Sequence, residues 1–159
     1  MSDAPILDLL IVGGGINGVG IARDAAGRGL KVLLVERDTL AAHTSSASSR
    51  LIHGGLRYLE QGAVGLVRES LRERERLMRI APGLVRPIEF VMPMDGAPRP
   101  TWMVGLGLAI YDRLGGANSL PRSRWLDLAR DPRGQGLARR GTAFTYWDCR
   151  TDDRRLVEV

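Results

Sequence analysis

The sequence predicts an α/β chain that opens on a parallel strand–turn–helix–strand unit. Three observations carry that reading: an apolar run over residues 6–12, three consecutive glycines straight after it, and a second apolar run over 31–36 (KVLLVE). Continuous apolar runs of this length suit parallel strands buried on both faces. Between them, residues 16–28 carry Val19, Ala22, Ala25 and Ala26 on helical spacing, and Gly27 and Gly29 stop that helix.

Further along, Thr44, Ser45, Ser46, Ser48 and Ser49 place five hydroxyls within six residues, and a His53-Gly54-Gly55-Leu56-Arg57-Tyr58 stretch follows. Residues 63–80 are expected to form the longest helix. Val67, Leu71 and Met78 share one stripe, and the Glu/Arg alternation over 68–79 reads as a solvated face with i,i+3 and i,i+4 pairs. Ala81-Pro82-Gly83 ends it. A strand over 88–94, a proline-rich loop over 95–100 and a helix over 102–114 come next. Residues 120–141, rich in Arg and Gly, read as mostly irregular, and 142–149 alternates like a strand. Asp152 and Asp153 are placed to cap a helix that has barely begun at Val159, an ending expected of a truncated chain.

With 44% hydrophobic and 26% charged residues, the 159-residue chain suits one core or the start of a larger one, not a disordered or fibrous protein. Its longest apolar run, residues 102–111, has ten residues against the roughly 20 of a spanning helix; it reads as core. Asp3 and Asp8 stand where a secretory signal would be basic, so a cytoplasmic location is expected. Cys149 has no internal disulfide partner, and His43 and His53 have no metal-ligand spacing. The net charge is +5, and of the 23 basic residues only Lys31 is a lysine. Charge is thus the sole support for nucleic-acid binding.

The strongest chemical signal is Gly13-x-Gly15-x-x-Gly18, because it follows an expected strand and opens an expected helix. Gly13 permits the tight turn, Gly15 lets a pyrophosphate approach the backbone, and Gly18 lets the helix pack closely on the strand. The helix N-terminus then offers free N–H groups and the positive end of its dipole. Glu36, 18 residues after Gly18, is placed to accept hydrogen bonds from a ribose. A carboxylate there disfavours a 2′-phosphate, although Arg37 stands beside it. His53 and Arg57, four apart, would share a face on a helix. Gly54 and Gly55 oppose helix formation, a cost of about 1 kcal/mol each that suits a backbone running against a flat ligand.

The segments GGGINGVGIARDAAGRG and TSSASSRLIHGGLRYLE closely resemble the N-terminal region of the FAD-dependent, aerobic, quinone-linked glycerol-3-phosphate dehydrogenases. The likeness continues through WMVGLGLAIYDRLG, Ser119-Leu120-Pro121 and Asp152-Asp153-Arg154-Arg155-Leu156, and so covers essentially the whole chain. It implies a Rossmann-like FAD-binding domain of the two-domain type shared by glutathione reductase and D-amino-acid oxidase, incomplete here. Residues 1–80 would belong to the FAD domain, 81–141 to the start of a substrate-binding cap, and 142–159 to the return toward the FAD domain.

The resemblance also implies roles for residues. Gly13, Gly14, Gly15, Ile16, Asn17, Gly18, Glu36 and Arg37 would hold the ADP half of FAD. Thr44, Ser45, Ser46, Ser48, Ser49, Arg50 and Leu51 would line the pyrophosphate and flavin, Arg50 standing where the family is expected to carry lysine. Arg57 and Tyr58 would reach the substrate, with Arg57 facing its phosphate. His53 would sit near the flavin, as a candidate catalytic base alongside one supplied from beyond Val159. The implied reaction takes sn-glycerol 3-phosphate to dihydroxyacetone phosphate, with electrons passing through FAD to quinone; an oxidase using oxygen and an inactive FAD-binding remnant are the alternatives. A homodimer and peripheral contact with the inner face of the cytoplasmic membrane fit the same resemblance.

Overall fold

A computed structural model describes residues 6–138 and 140–158; Asp3 and Val159, used above, lie outside them. The chain divides into two compact units, Met1–Arg50 with Thr151–Val159, and Leu51–Arg150.

The first unit holds β1 (Leu9–Val12), α1 (Ile16–Gly27) and β2 (Val32–Val35). The strands pair in parallel, Leu9 opposite Val32 through Val12 opposite Val35. α1 covers the face that carries Ile11, and both Ile11 and Ala25 are buried. The other face is open: Leu10 and Val12 are 58% and 81% exposed, with Leu33 and Val35 beside them. Burial on both faces was expected. Two strands and one helix can cover only one face, so the second stays bare. The remaining helix of this unit, α4 (Asp153–Glu158), packs against α1 and buries Val157. Asp152 caps it, its Oδ1 accepting from the Arg155 amide at 3.3 Å.

The second unit is built on an antiparallel sheet around β6 (Thr142–Arg150). One edge of β6 pairs with all of β4 (Arg86–Pro93). The opposite edge is shared by β3 (Leu51–Ile52) and β5 (Arg124–Asp127). β5 lies in the stretch read as irregular; four residues give too short a pattern to stand out among arginines, and pairing with Thr142–Thr145 supplies the order. Two helices complete the unit, α2 (Val64–Ile80) and α3 (Thr101–Leu114). Val67 and Leu71 of α2 meet Tyr111 of α3, with Leu56, Leu59 and Leu114 around them.

Two expectations about these helices need correction. Arg74 falls within the face read as solvated yet is 1% exposed, because its position continues the Val67–Leu71 stripe by one further turn. The apolar run on α3 is core on only one side. Leu108 and Tyr111 are buried, whereas Trp102 and Leu106 are 68% and 53% exposed. α3 is apolar nearly all round and only one face meets α2. Among the described residues no helix is long and apolar enough to cross a membrane.

Candidate functional site

The glycine turn sits between β1 and α1, and each glycine has a distinct mechanical reason. Gly13 adopts φ +111°, closed to other residues at little cost, while its amide donates to Val35 O at 2.8 Å. A Cβ on Gly18 would run into the Gly13 carbonyl oxygen and lie 3.4 Å from Ile11 Cγ2, so only glycine allows this helix to approach its strand. Gly15 is the extended N-cap residue of α1 and makes no side-chain cap. Among the described residues the amides of Gly15, Asn17 and Gly18 have no acceptor. Three free donors converge at the positive end of a helix.

Glu36 is fixed beside this turn. Its Oε2 accepts from the Gly14 amide at 2.5 Å and its Oε1 from the Asp38 amide at 3.0 Å. The Gly14 amide, chiefly, holds this carboxyl below its usual 4.5. A lowered value means the contact stabilises the fold above pH 4.5 and is lost as pH falls through the lower folded value. Urea midpoints of the native protein and Glu36→Gln are therefore expected to differ at pH 6 and to converge toward pH 3. A difference independent of pH would contradict this. Asp38 Oδ2 also takes a 2.7 Å contact from His43 Nε2, which lies 3.4 Å from Arg37 Nη2. Glu36, Asp38 and His43 thus cluster within 4.8 Å, an arrangement their spacing did not reveal. The cluster is accounted for by its own hydrogen bonds.

Of the five clustered hydroxyls, the structure brings one to the turn: Ser45 Oγ accepts from the Ile16 amide at 3.0 Å. Ser46 Oγ is spent on the carbonyls of Ala42 and His43, and Ser48 Oγ donates to Asp153 while accepting from the Arg50 amide. Thr44 and Ser49 make no side-chain hydrogen bond among the described residues. Arg50 has φ +56°, unusual for a residue with a Cβ, and its carbonyl accepts from the Thr151 amide at 2.9 Å. Leu51 pairs with Arg150.

In the second unit His53, Arg57 and Tyr58 are all exposed. His53 and Arg57 do not share a helical face: Leu56–Gln61 is a 3₁₀ turn that begins after His53. Gly55, at φ +72°, breaks the chain direction between them. The glycine at 54 answers to the protein's own core. A Cβ there would meet Leu71 and the Tyr111 hydroxyl. Below it lies a buried polar group that sequence reasoning missed. Asp148 Oδ1 accepts from Arg74 Nη1 and from Tyr111 OH, each at 2.7 Å, and the Gly54 amide donates to Tyr111 OH at 2.8 Å. The signal available for Arg74 was its place on the apolar stripe; Asp148 gave none. Burial, then Asp148, pushes the Tyr111 phenol far above its usual value. Next along β6, burial raises the fully enclosed Cys149 thiol to about 11. Iodoacetamide at pH 7.5 is expected to spare Cys149 in the folded protein and label it only after denaturation; equal rates would refute its enclosure.

Residues 8–159 match the family of FAD dependent oxidoreductases. The chain belongs to that family. Its FAD is the cofactor the turn fits, since the free amides of Gly15, Asn17 and Gly18 suit a pyrophosphate and Glu36 suits a ribose. Across the whole of this chain it is 54% identical to D-erythritol 1-phosphate dehydrogenase of Brucella abortus, and it covers 32% of that protein. Glycerol-3-phosphate dehydrogenase of Pseudomonas aeruginosa is 55% identical over 97% of the chain, and the aerobic glycerol-3-phosphate dehydrogenase of Escherichia coli 52% over 94%; 30% of each is covered. The chain therefore spans about a third of the length of these relatives. Among solved structures, glycerol-3-phosphate dehydrogenase from Bacillus halodurans complexed with FAD matches with TM-score 0.63 at 30% identity, over 99% of this chain and 24% of that one. Glycine oxidase from Bacillus cereus, at 20% identity and TM-score 0.58 over 96% of this chain and 42% of its own, shares the fold.

Proposed function

We propose that the complete protein oxidises sn-glycerol 3-phosphate to dihydroxyacetone phosphate and passes the electrons through FAD to quinone. The observation that carries this reading is identity of 52–55% to proteins named glycerol-3-phosphate dehydrogenase across nearly the whole chain. The Arg57 side chain, exposed on a glycine-anchored segment, supports it.

In this reading the amides of Gly15, Asn17 and Gly18 hold the pyrophosphate, Ser45 turns toward it, and Glu36 accepts from the ribose hydroxyls. FAD, when bound, supplies the hydride acceptor. Arg57 holds the substrate phosphate by two parallel N–H···O bonds, its planar fork matching the anion. Tyr58 adds a hydroxyl donor beside it. His53 takes the alcohol proton on an imidazole nitrogen as the C–H bond breaks. The secondary alcohol thereby loses a hydride from its carbon and a proton from its oxygen and becomes a ketone. Access to quinone requires peripheral contact with the inner face of the cytoplasmic membrane.

A second substrate is favoured by a specific observation, the 54% identity to D-erythritol 1-phosphate dehydrogenase over the entire chain. Both substrates are polyol phosphates, so the same Arg57 contact serves either. Purified complete protein is expected to be yellow and to reduce a quinone analogue with glycerol 3-phosphate. Reduction with D-erythritol 1-phosphate alone would move the assignment to the tetritol, and stoichiometric peroxide would make the enzyme an oxidase. Protein that binds no flavin and oxidises neither would overturn the reading. Arg57→Met is expected to raise KM about 10- to 100-fold, the loss of a charged hydrogen-bond pair.

A further inference from the structure

We propose that Arg74, Asp148 and Tyr111 form a positioning device that clamps the Gly54 amide and thereby sets the conformation of the exposed His53–Tyr58 segment. Four pieces of the second unit meet here: α2 brings Arg74, α3 brings Tyr111, β6 brings Asp148, and the chain leaving β3 brings Gly54. The three side chains are 1%, 3% and 3% exposed. Asp148 Oδ1 is the shared acceptor, 2.7 Å from Arg74 Nη1, 2.7 Å from Tyr111 OH and 3.3 Å from the Gly54 amide. Arg74 is oriented in turn by Trp147 O at 3.2 Å and Asn118 Oδ1 at 3.0 Å.

The direction of each bond fixes the next. Asp148, held by the guanidinium, orients the Tyr111 hydroxyl as a donor toward it. That leaves the oxygen's lone pairs for the Gly54 amide, 2.8 Å away. Tyr111 keeps its proton throughout the working range, since burial and Asp148 both oppose its loss. Gly54 and Gly55 are buried and have no room for side chains, so the clamped amide leaves the backbone a single path into the Leu56–Gln61 turn. His53 lies just before that path and Arg57 just after it. A buried ion pair is seldom better for stability than apolar packing of equal volume. Its use here is to hold one backbone donor in a fixed place.

The inference rests on the proposed roles of His53 and Arg57, and its test separates the two. Tyr111→Phe in the complete FAD-loaded protein removes the hydroxyl and leaves the ring. Amide hydrogen exchange of residues 53–58 is expected to speed at least tenfold while Arg86–Pro93 keeps its protection. KM for glycerol 3-phosphate is expected to rise at least fivefold, more than kcat falls. Should Tyr111→Phe fail to fold, the double variant Arg74→Met with Asp148→Asn, which removes both buried charges together and leaves the partly exposed Glu75 its bonds to Ser119, is read in the same way. Unchanged exchange at 53–58, or an equal rise along Arg86–Pro93, overturns the clamp. If the native protein does not oxidise glycerol 3-phosphate, the substrate assignment fails and the exchange comparison still decides the clamp.

Discussion

Gly18→Ala is expected to weaken FAD binding about 5- to 150-fold, the equivalent of roughly 1–3 kcal/mol of overpacking. The added methyl would meet the Gly13 carbonyl oxygen, with its carbon at 3.1 Å. Backbone on both sides cannot swing away as a long side chain would. Either α1 lifts from β1 or the Gly13 turn opens, and both disperse the free amides of Gly15, Asn17 and Gly18. Gly20→Ala is the matched control: a Cβ there meets nothing within 4 Å. It is expected to retain flavin and gain up to about 1 kcal/mol from helix propensity. Flavin absorbance after gel filtration, with a titrated Kd, reads both variants. Equal retention of FAD by Gly18→Ala and the native protein would remove the steric argument for this turn.

Asp148→Ala is expected to cost about 3–5 kcal/mol, because it strips the buried Arg74 guanidinium of its nearer carboxylate and leaves it only the longer pair with the partly exposed Glu75. In a domain of this size that corresponds to a Tm lower by about 6–20 °C. Arg74→Lys is expected to rescue little, since an ammonium cannot reach Asp148, Trp147 O and Asn118 with one planar fork. Arg76→Ala provides the contrast. Its pair with Glu73 is exposed on both sides, so the change should stay within about 1 kcal/mol. Thermal unfolding of the three variants side by side gives the ranking. A mild Asp148→Ala together with a severe Arg76→Ala would reverse the assignment of charge to core and surface on α2.

The turn around Gly13 was legible because its causes are local. The strand, the glycines and Glu36 fall within the first 36 residues, and backbone sterics dictate where side chains are excluded. The hydroxyl cluster was less so. Its residues look alike in the sequence, but the chain path sends Ser46 to carbonyls behind it and Ser48 to Asp153, 105 residues away. Only Ser45 reaches the helix start. His53 and Arg57 carried a helical spacing that Gly55, in its left-handed conformation, cancels.

From the sequence alone came the parallel opening unit, the glycine spacing, the carboxylate at the end of β2 and the long helix α2, all set by patterns shorter than about 20 residues. Only the tertiary structure decided that Arg74 is core and not surface, and that one face of α3 stays bare. It alone joined Gly54, Tyr111 and Asp148 across separations of 57 and 94 residues. A charge can be buried only where a partner waits, and which partner waits is settled by packing between elements that periodicity treats one at a time.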